Sequence, residues 1–268
     1  MNKQLKQIKI EGLRIAACSE KKAAEYVIEN RDELKGKYIS FVNLYSLVCV
    51  LEDEAYKKAQ RGAAIRFADG FPVAILQKLH GAHYAKRVTG PDIMERILKE
   101  TGDAKSGSHF FLGSDDDTLV GLMEKVKEIS SSVKVAGTLD PGEVPVGCEG
   151  ERFNEMIDAI VKKVNEADPD YLWVALGTPK QEFVMEALAG KVDCVMFGVG
   201  AAFGFQAQIP PRAPKWMRFM NLEWLYRVFS DPKRLSKRYL KCILALPVIV
   251  FHNIFKGREK KAPGDKNE

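Results

Sequence analysis

Asp69 is the residue whose setting in the sequence best suits proton transfer. It lies in the segment RFADGF, at the point where an apolar run ends. A partly desolvated carboxylate at such a strand end can serve as a general base for a hydroxyl nucleophile. The same Asp-Gly pair is also typical of a turn that needs no chemistry. Taken alone, the residues favour the turn.

A run of acidic residues, SDDDT at 114–118, suggests either a metal site or the start of a helix. Asp115 and Asp117 form a DxD pair of the kind that holds a divalent ion against a nucleotide-sugar diphosphate. Ser114 followed by acids is, however, what an N-cap and first helical turn prefer, because carboxylates there complement exposed N–H groups. We favour capping. The four histidines show no ligand spacing, so we predict no metal site.

Small residues follow several of the predicted strands and offer backbone N–H groups to a diphosphate. Glycine is also common at such turns for steric reasons, so each position alone is weak support. The sequence contains neither GxGxxG nor GxxxxGK[ST], which argues against a Rossmann dinucleotide site or a P-loop. The candidates for substrate binding at these strand ends are Gly113, Gly137, Thr138, Gly177, Thr178, Gly198 and Gly200.

The C-terminal part of the chain combines basic, aromatic and apolar residues. Residues 212–240 carry eight basic side chains among two tryptophans, two tyrosines and two phenylalanines, and CILALPVIVFHNIF follows. From position 212 onward 14 Lys/Arg oppose 5 Asp/Glu, whereas residues 1–211 carry 27 against 31. This mixture suits the headgroup level of an anionic membrane. RNA binding or plain helix packing are alternatives, but RNA gives no reason for the apolar run, which is too short to span a bilayer.

The elements that must position these groups can be read from apolar runs that alternate with longer amphipathic segments. Nearly continuous apolar strands separated by helices predict an α/β fold, a doubly wound and mainly parallel sheet (Rossmann-like) covered on both faces. Ligands gather beyond the carboxyl ends of such strands. We predict a catalytic domain over 1–211 and a basic helical appendage over 212–268. The predicted strands are LRIAAC, YISFVN, AAIRFAD, SHFFLG, VKVAG, YLWVAL and VDCVMFGVG.

Composition is that of a folded protein, with 268 residues, 46% hydrophobic and 29% charged. The five cysteines are scattered without CxxC spacing, so we expect them to be reduced and mostly buried. The opening MNKQLKQIKIEG has no apolar run after its lysines, and no signal peptide is predicted. We therefore expect a cytoplasmic protein that associates peripherally with the inner face of the cell membrane.

Eight motifs in order along nearly the whole chain make it resemble the bacterial WecG/TagA/CpsF glycosyltransferases, which build teichoic-acid linkage units and other surface polysaccharides. The motifs are FVN (41–43), ADG (68–70), KRVTGPD (86–92), FFLG (110–113), LGTPKQE (176–182), GVGAAF (198–203), RAPKWMR (212–218) and LEWLYRVFSDPKRLSKRYL (222–240).

The resemblance implies an inverting transfer of a sugar from a UDP donor to a polyprenyl-diphosphate-linked saccharide. It assigns the general base to Asp69, and catalysis in the family is regarded as independent of metal, so no cofactor is expected. Asn43, Arg87 and Gln181 match the family's polar pocket residues. Arginines of the appendage would complete the site at the membrane and meet the charge of the departing UDP. The arginines assigned to substrate binding are Arg212, Arg227, Arg234 and Arg238.

Departures from the family's pattern concern the sugar. Phe41 stands where a threonine is common, and FGFQAQ lacks the usual Asp and Gly of that segment. Both departures leave Asp69 and Gln181 in place and point to a different sugar; the candidate donors are N-acetylmannosamine, its uronic acid or a hexose. The alternative function is a non-catalytic scaffold that binds a UDP-sugar or polyprenyl phosphate in an assembly complex. No nucleic-acid partner is expected, and a homo-oligomer is a possibility that the sequence leaves open.

Overall fold

An eight-stranded β-sheet organises this structure, a computed structural model that describes residues 4–207, 214, 217, 226 and 232–253. The strand order is β1-β2-β4-β3-β8-β7-β5-β6, and all neighbours are parallel except β1 and β2. The strands are β1 (Gln7–Ile10), β2 (Leu13–Ala16), β3 (Tyr38–Val42), β4 (Ile65–Ala68), β5 (Ser108–Leu112), β6 (Lys134–Leu139), β7 (Tyr171–Val174) and β8 (Val195–Gly198).

Helices connect the strands and cover both faces of the sheet. The α-helices are α1 (Glu20–Glu29), α2 (Arg31–Leu34), α3 (Leu44–Glu52), α4 (Glu54–Gly62), α5 (Phe71–Leu79), α6 (Gly90–Asp103), α7 (Asp116–Ile129), α8 (Glu151–Ala167), α9 (Lys180–Leu188), α10 (Ala202–Gln206) and α11 (Pro232–Phe251). A short 3-10 turn covers Val146–Cys148.

The predicted doubly wound architecture is confirmed by how successive strand residues are buried. In β3, Ile39 and Phe41 enter a cluster shared with α1, α6, α7 and α10. Tyr38 and Val42 of the same strand enter the clusters of the opposite face, with α3, α4, α5, α8 and α9. Alternate side chains of a strand point to opposite faces, so an all-apolar strand requires helices on both.

Some elements differ from the sequence-based expectation. The first strand was predicted at LRIAAC, but β1 precedes it and pairs antiparallel with β2, which makes a hairpin at the sheet edge. The segment before Gln60 was predicted as one helix, but it divides at Asp53, whose carboxylate accepts hydrogen bonds from Ala55 N and Tyr56 N and starts α4. The expectation that Gly137 and Thr138 follow a strand is wrong, because β6 continues through Leu139.

The helix-cap prediction for the acidic segment is right in kind but misplaced by one residue. Asp115, not Ser114, is the N-cap of α7, and its Oδ1 accepts a hydrogen bond from Thr118 N at 2.8 Å. Ser114 has a positive φ of 67° and belongs to the turn before the helix. Asp115, the first aspartate of the run, therefore provides the capping carboxylate.

Helix α11 packs along α3 and carries the C-terminal part of the chain back onto the sheet's helical layer. Its Cys242 and Ile249 are buried in the cluster that contains Leu47 and Val48 of α3. Lys241 Nζ contacts Glu52 Oε2 at 2.8 Å. The opposite side of α11 exposes the apolar side chains of Leu240, Ile243, Leu244, Val248 and Phe251. The predicted domain boundary at 211/212 lies outside the described residues.

Within the described part of the chain, no helix combines the length and apolarity needed to cross a membrane. All five cysteines are free thiols, and four of them are buried while Cys148 is half-buried, as the scattered apolar settings predicted.

Candidate active site

Asp69 and Asn43 lie side by side because they follow neighbouring strands in register. Val42 of β3 is aligned with Ala68 of β4, and Asp69 N donates a hydrogen bond to Val42 O at 2.9 Å. Gly70 has a φ of 104°, and a Cβ at this glycine would lie 4.0 Å from Asn43 Cβ. Both residues are half-buried at the carboxyl edge of the sheet, where ligands bind in such folds.

Asn43 has one end of its amide committed to the helix that follows it. Its Oδ1 accepts a hydrogen bond from Ser46 N at 3.0 Å, and Asn43 N donates to Ser46 Oγ at 3.2 Å. This reciprocal capping box fixes the side chain at the start of α3. Because the amide oxygen already accepts a hydrogen bond from Ser46 N, the Nδ2 group is the part of the Asn43 side chain that can donate to a ligand.

Arg87 reaches the same edge from the segment that leads into α6. Val88 N donates to Ala68 O at 2.8 Å, so this segment runs past the end of β4 beside Asp69. The Arg87 guanidinium is half-buried and only 4.0 Å from Asp92 Oδ2, a distance at which a partly exposed pair is weak. Thr89 donates to the same carboxylate oxygen at 2.6 Å. The geometry leaves the planar Arg87 fork suited to phosphate oxygens.

Gln181 is buried and binds the backbone that follows β8. Its Nε2 donates to Gly198 O at 3.0 Å, and its Oε1 accepts from Gly200 N at 2.9 Å. A Cβ at position 198 would lie 3.1 Å from Gln181 Nε2 and 2.5 Å from Met185 Cε. Glycine at 198 therefore makes room for this contact, and Gln181 acts by shaping the Gly198–Gly200 loop.

Glu182, which the sequence reasoning did not single out, is fully buried next to Gln181. Its Oε1 accepts hydrogen bonds from Thr178 Oγ1 and Gln181 Nε2, each at 3.1 Å. Its Oε2 has no hydrogen-bond partner among the described residues. Burial raises the pKa of this carboxyl to about 7, although hydrogen bonds and the charge of Arg238 oppose the shift. Its only signal in the sequence was its position inside LGTPKQE.

Arg238 of α11 lies close to this cluster. Its guanidinium carbon is 4.0 Å from the ring centroid of Tyr45, and Tyr45 is two residues beyond Asn43. Such stacking holds a guanidinium at a defined place. Of the other arginines assigned to substrate binding, Arg212 and Arg227 lie outside the described residues, as does the side chain of Arg234.

The small residues at the strand ends divide into two groups. Gly177, Thr178, Gly198 and Gly200 follow or end the central strands β7 and β8 and lie around Gln181. A Cβ at Gly177 would meet no atom within 4 Å, so this backbone is open to a ligand. These positions lie at the same edge of the sheet as Asn43, because β8 is paired in parallel with β3, which Asn43 follows.

The remaining small residues lie towards the far edge of the sheet. A Cβ at Gly113 would be 2.8 Å from Ala175 O, and one at Gly137 would be 2.7 Å from the Phe110 ring, so packing alone requires both glycines. Thr138 is inside β6, which is five strands from β4, or about 24 Å at the usual strand spacing. The structure therefore does not bring Gly137 and Thr138 to Asp69.

The assembled site offers one carboxylate beside cations and oriented backbone groups. A carboxylate at a half-buried strand end can take a proton from a hydroxyl, and arginine with glycine N–H groups can stabilise an anion formed nearby. Among the described residues, no group of three or more His, Cys, Asp or Glu is arranged to hold a metal ion. Asp115 is committed to capping α7 instead.

Comparisons with known proteins agree with the motif pattern. Residues 8–260 match the family described as "Glycosyl transferase WecG/TagA/CpsF family". Two relatives, from Bacillus subtilis (strain 168) and Bacillus spizizenii, are both named N-acetylglucosaminyldiphosphoundecaprenol N-acetyl-beta-D-mannosaminyltransferase. Each is 28% identical over 204 residues, which cover 76% of this chain and 75% of the relative.

Proposed function

Because the chain belongs to the WecG/TagA/CpsF family of glycosyltransferases, we propose that it transfers a sugar from a UDP donor to a saccharide carried by a polyprenyl diphosphate. The product would serve the synthesis of a teichoic acid or another cell-surface polysaccharide. The observation that carries the proposal is the convergence of Asp69, Asn43 and Arg87 at one edge of the sheet, where the Gly198–Gly200 loop also lies.

Asp69 is the general base in this proposal. Its carboxylate removes the proton from the acceptor hydroxyl as that oxygen attacks the anomeric carbon, and the bond from this carbon to the UDP oxygen breaks. A single displacement inverts the configuration at the anomeric carbon. Asn43 Nδ2, held by the capping box of α3, would hydrogen-bond a sugar hydroxyl and fix the angle of attack.

The departing UDP takes the electron pair and gains negative charge. Arg87, which lies near Asp69, and Arg238, which stacks on Tyr45, are cations close to this edge of the sheet. A planar guanidinium can bind two phosphate oxygens at once. We assign the same role to Arg212, Arg227 and Arg234. Gln181, which accepts a hydrogen bond from Gly200 N, would hold the Gly198–Gly200 loop in place beside the leaving group. This arrangement meets the charge without a metal ion.

The names of the two Bacillus relatives support a donor of the N-acetylmannosaminyl type and an acceptor with N-acetylglucosamine on a diphosphoundecaprenol. A uronic acid derivative or a hexose remains in the proposal, because Phe41 stands where a threonine is common in the family, and its ring is buried against Phe67 at 5.9 Å. We propose that the reaction takes place at the inner face of the cell membrane, and the exposed apolar side chains of α11 support contact with a bilayer.

The test is release of UDP from a panel of UDP-sugars with a short-chain, water-soluble lipid-diphosphate acceptor. We expect one donor to support turnover, and Asp69→Asn to lose about 10²-fold or more in kcat while UDP binding and thermal unfolding stay near wild type. Asp193→Asn is the matched control, since Asp193 is exposed and precedes β8 at the opposite edge of the sheet.

Normal turnover by Asp69→Asn would contradict the base assignment. UDP binding without UDP release for every donor would instead support the scaffold alternative. Loss of activity on treatment with a chelator, restored by a divalent ion, would contradict the metal-independent mechanism.

A further inference from the structure

Helix α5 exposes a row of apolar side chains that neither the fold nor the proposed reaction explains. Phe71, Ile75 and Leu79 are 51%, 36% and 60% exposed. They are spaced four residues apart and so lie on one face of the helix. We call these three residues, together with Tyr84, Lys78 and Lys86, the α5 surface.

The orientation of α5 is fixed by its buried side. Val73 and Leu76 enter the core cluster of that sheet face, and Gln77 Nε2 donates to Ile15 O at 3.2 Å and Ala16 O at 3.0 Å in β2. Because this side is anchored to the sheet, the Phe71–Leu79 row faces away from the protein. The exposure is therefore a property of the fold and not of a loosely attached helix.

The charge within the chain segment that carries the row has one sign. No acidic residue occurs between Asp69 and Asp92, whereas the interval contains Lys78, Lys86, Arg87 and two histidines. Lys78 and Lys86 are exposed, and Tyr84 between them is 54% exposed. Apolar side chains flanked by lysines and an aromatic ring suit the headgroup level of an anionic bilayer.

A second apolar row lies on the same side of the molecule. Val73 and Leu76 of α5 share one buried cluster with Cys242 and Ile249 of α11, so both helices cover the same face of the sheet. The outer side of α11 exposes its own row from Leu240 to Phe251. A flat partner such as a bilayer needs no groove to contact exposed apolar rows on two helices.

We propose that the α5 surface is a second contact with an anionic lipid bilayer, separate from the C-terminal segment. Since α5 starts two residues after Asp69, contact here would hold the opening of the candidate site at the headgroup level. This inference rests on the proposed function only for the identity of the acceptor, because bilayer contact is measured without any substrate.

The test compares full-length variants by co-sedimentation with vesicles of 70% phosphatidylcholine and 30% phosphatidylglycerol. Ile75→Ser/Leu79→Ser should weaken binding about tenfold, because two apolar side chains are lost from the contact. The matched control is Val120→Ser/Val135→Ser. These valines are 62% and 39% exposed, close to the values of Leu79 and Ile75, and lie on α7 and β6.

Two further measurements make the result specific. Ile75→Ser/Leu79→Ser should leave UDP release with the short-chain acceptor unchanged, while reducing it when the acceptor is embedded in the same vesicles. Lys78→Glu/Lys86→Glu should weaken binding to the anionic vesicles and leave binding to pure phosphatidylcholine unchanged.

Equal vesicle binding by Ile75→Ser/Leu79→Ser and its valine control would overturn the proposal. So would a change in the oligomeric state of Ile75→Ser/Leu79→Ser with vesicle binding unchanged, since the surface would then join copies of this chain. Absence of UDP release with every acceptor would count against the proposed function alone.

Discussion

Glu182 connects three parts of the candidate site at the level of single residues. One of its oxygens accepts hydrogen bonds from Thr178 and Gln181, and Gln181 in turn binds both sides of the loop after β8. A buried carboxyl is costly when ionised. Burial therefore favours the protonated form of Glu182, although the hydrogen bonds from Thr178 and Gln181 favour the carboxylate.

This burial predicts a dependence of stability on pH. The pKa of Glu182 is raised from 4.5 to about 7, so the folded state holds the proton more tightly than the unfolded state. The free energy of unfolding should therefore fall as pH rises from 4.5 to about 7 and stay level above it. Glu182→Gln should remove this fall and stabilise the protein at pH 8 by up to about 3 kcal/mol.

Chemical unfolding of both proteins at pH 5 and pH 8 measures the effect. Glu186→Gln is the control one turn along α9, where the carboxylate is 33% exposed and 3.9 Å from Lys58. An equal pH dependence in wild type and Glu182→Gln would show that another group is responsible. His109 contributes in the opposite direction, because burial lowers its pKa to about 3 and its neutral form is favoured; stability from this residue is lost as pH falls below 6.5.

The residues of the site could be predicted to different degrees. Asp69 stood out as a polar residue directly after an apolar strand, but its role as base and the pocket role of Asn43 came from the family resemblance. Glu182 was missed because a glutamate in the first turn of a helix is usually solvated, and it is the packing of α9 against α4 and the strands β3 and β8 that buries it. The assignment of Gly137 to a ligand loop failed because the sequence gives no local signal that the edge strand β6 continues to Leu139.

The elements themselves were set largely by apolar continuity. YISFV, SHFFL and YLWV are buried along their whole length, and such runs specify central parallel strands. The β1 strand was not predicted, since QIKI alternates in the way of a half-exposed edge strand and has only four residues. Little in the sequence signalled the break between α3 and α4, because both segments are amphipathic and Asp53 is the residue that caps the start of α4.

The start of α7 gives a prediction that separates capping from metal binding. Asp115 accepts the hydrogen bond from Thr118 N, and this contact lowers the pKa of its carboxyl. Asp115→Ala should lower the midpoint of thermal unfolding by more than Asp117→Ala does, because Asp117 lies inside the helix without the capping contact. Both variants should retain UDP release.

Calorimetry at pH 7 and over a series of acidic pH values completes this comparison. The difference between wild type and Asp115→Ala should shrink at the lower pH values, since the cap is strongest when the carboxylate is ionised and is lost as pH falls through its lowered pKa. Loss of turnover in both aspartate variants would indicate that the DxD pair holds an ion after all. Equal unfolding midpoints would remove the capping role.

At the scale of the whole molecule, the sequence concentrates basic charge in the C-terminal part of the chain, to which the exposed apolar row of α11 also belongs. The residues from 212 onward carry 14 Lys/Arg against 5 Asp/Glu, and the rest of the chain carries 27 against 31. Helix α11 belongs to the basic part and packs on α3, at whose start Asn43 lies. The acceptor of the proposed reaction is itself a lipid, so a basic segment with an exposed apolar helix would favour an orientation in which α11 faces the membrane.

This distribution predicts two components of vesicle binding that salt separates. Raising the ionic strength from about 0.05 to about 0.5 M should weaken binding to anionic vesicles about tenfold. The Debye length shrinks to a few ångströms, so the attraction between the basic residues and the anionic surface is screened. Some binding should remain at high salt, equal to the binding on pure phosphatidylcholine, because the rows on α5 and α11 are apolar. Co-sedimentation across a salt series on both vesicle types measures each component. Binding that is indifferent to salt would mean that the basic residues do not face the membrane, whereas complete release at high salt would mean that the apolar rows do not enter it.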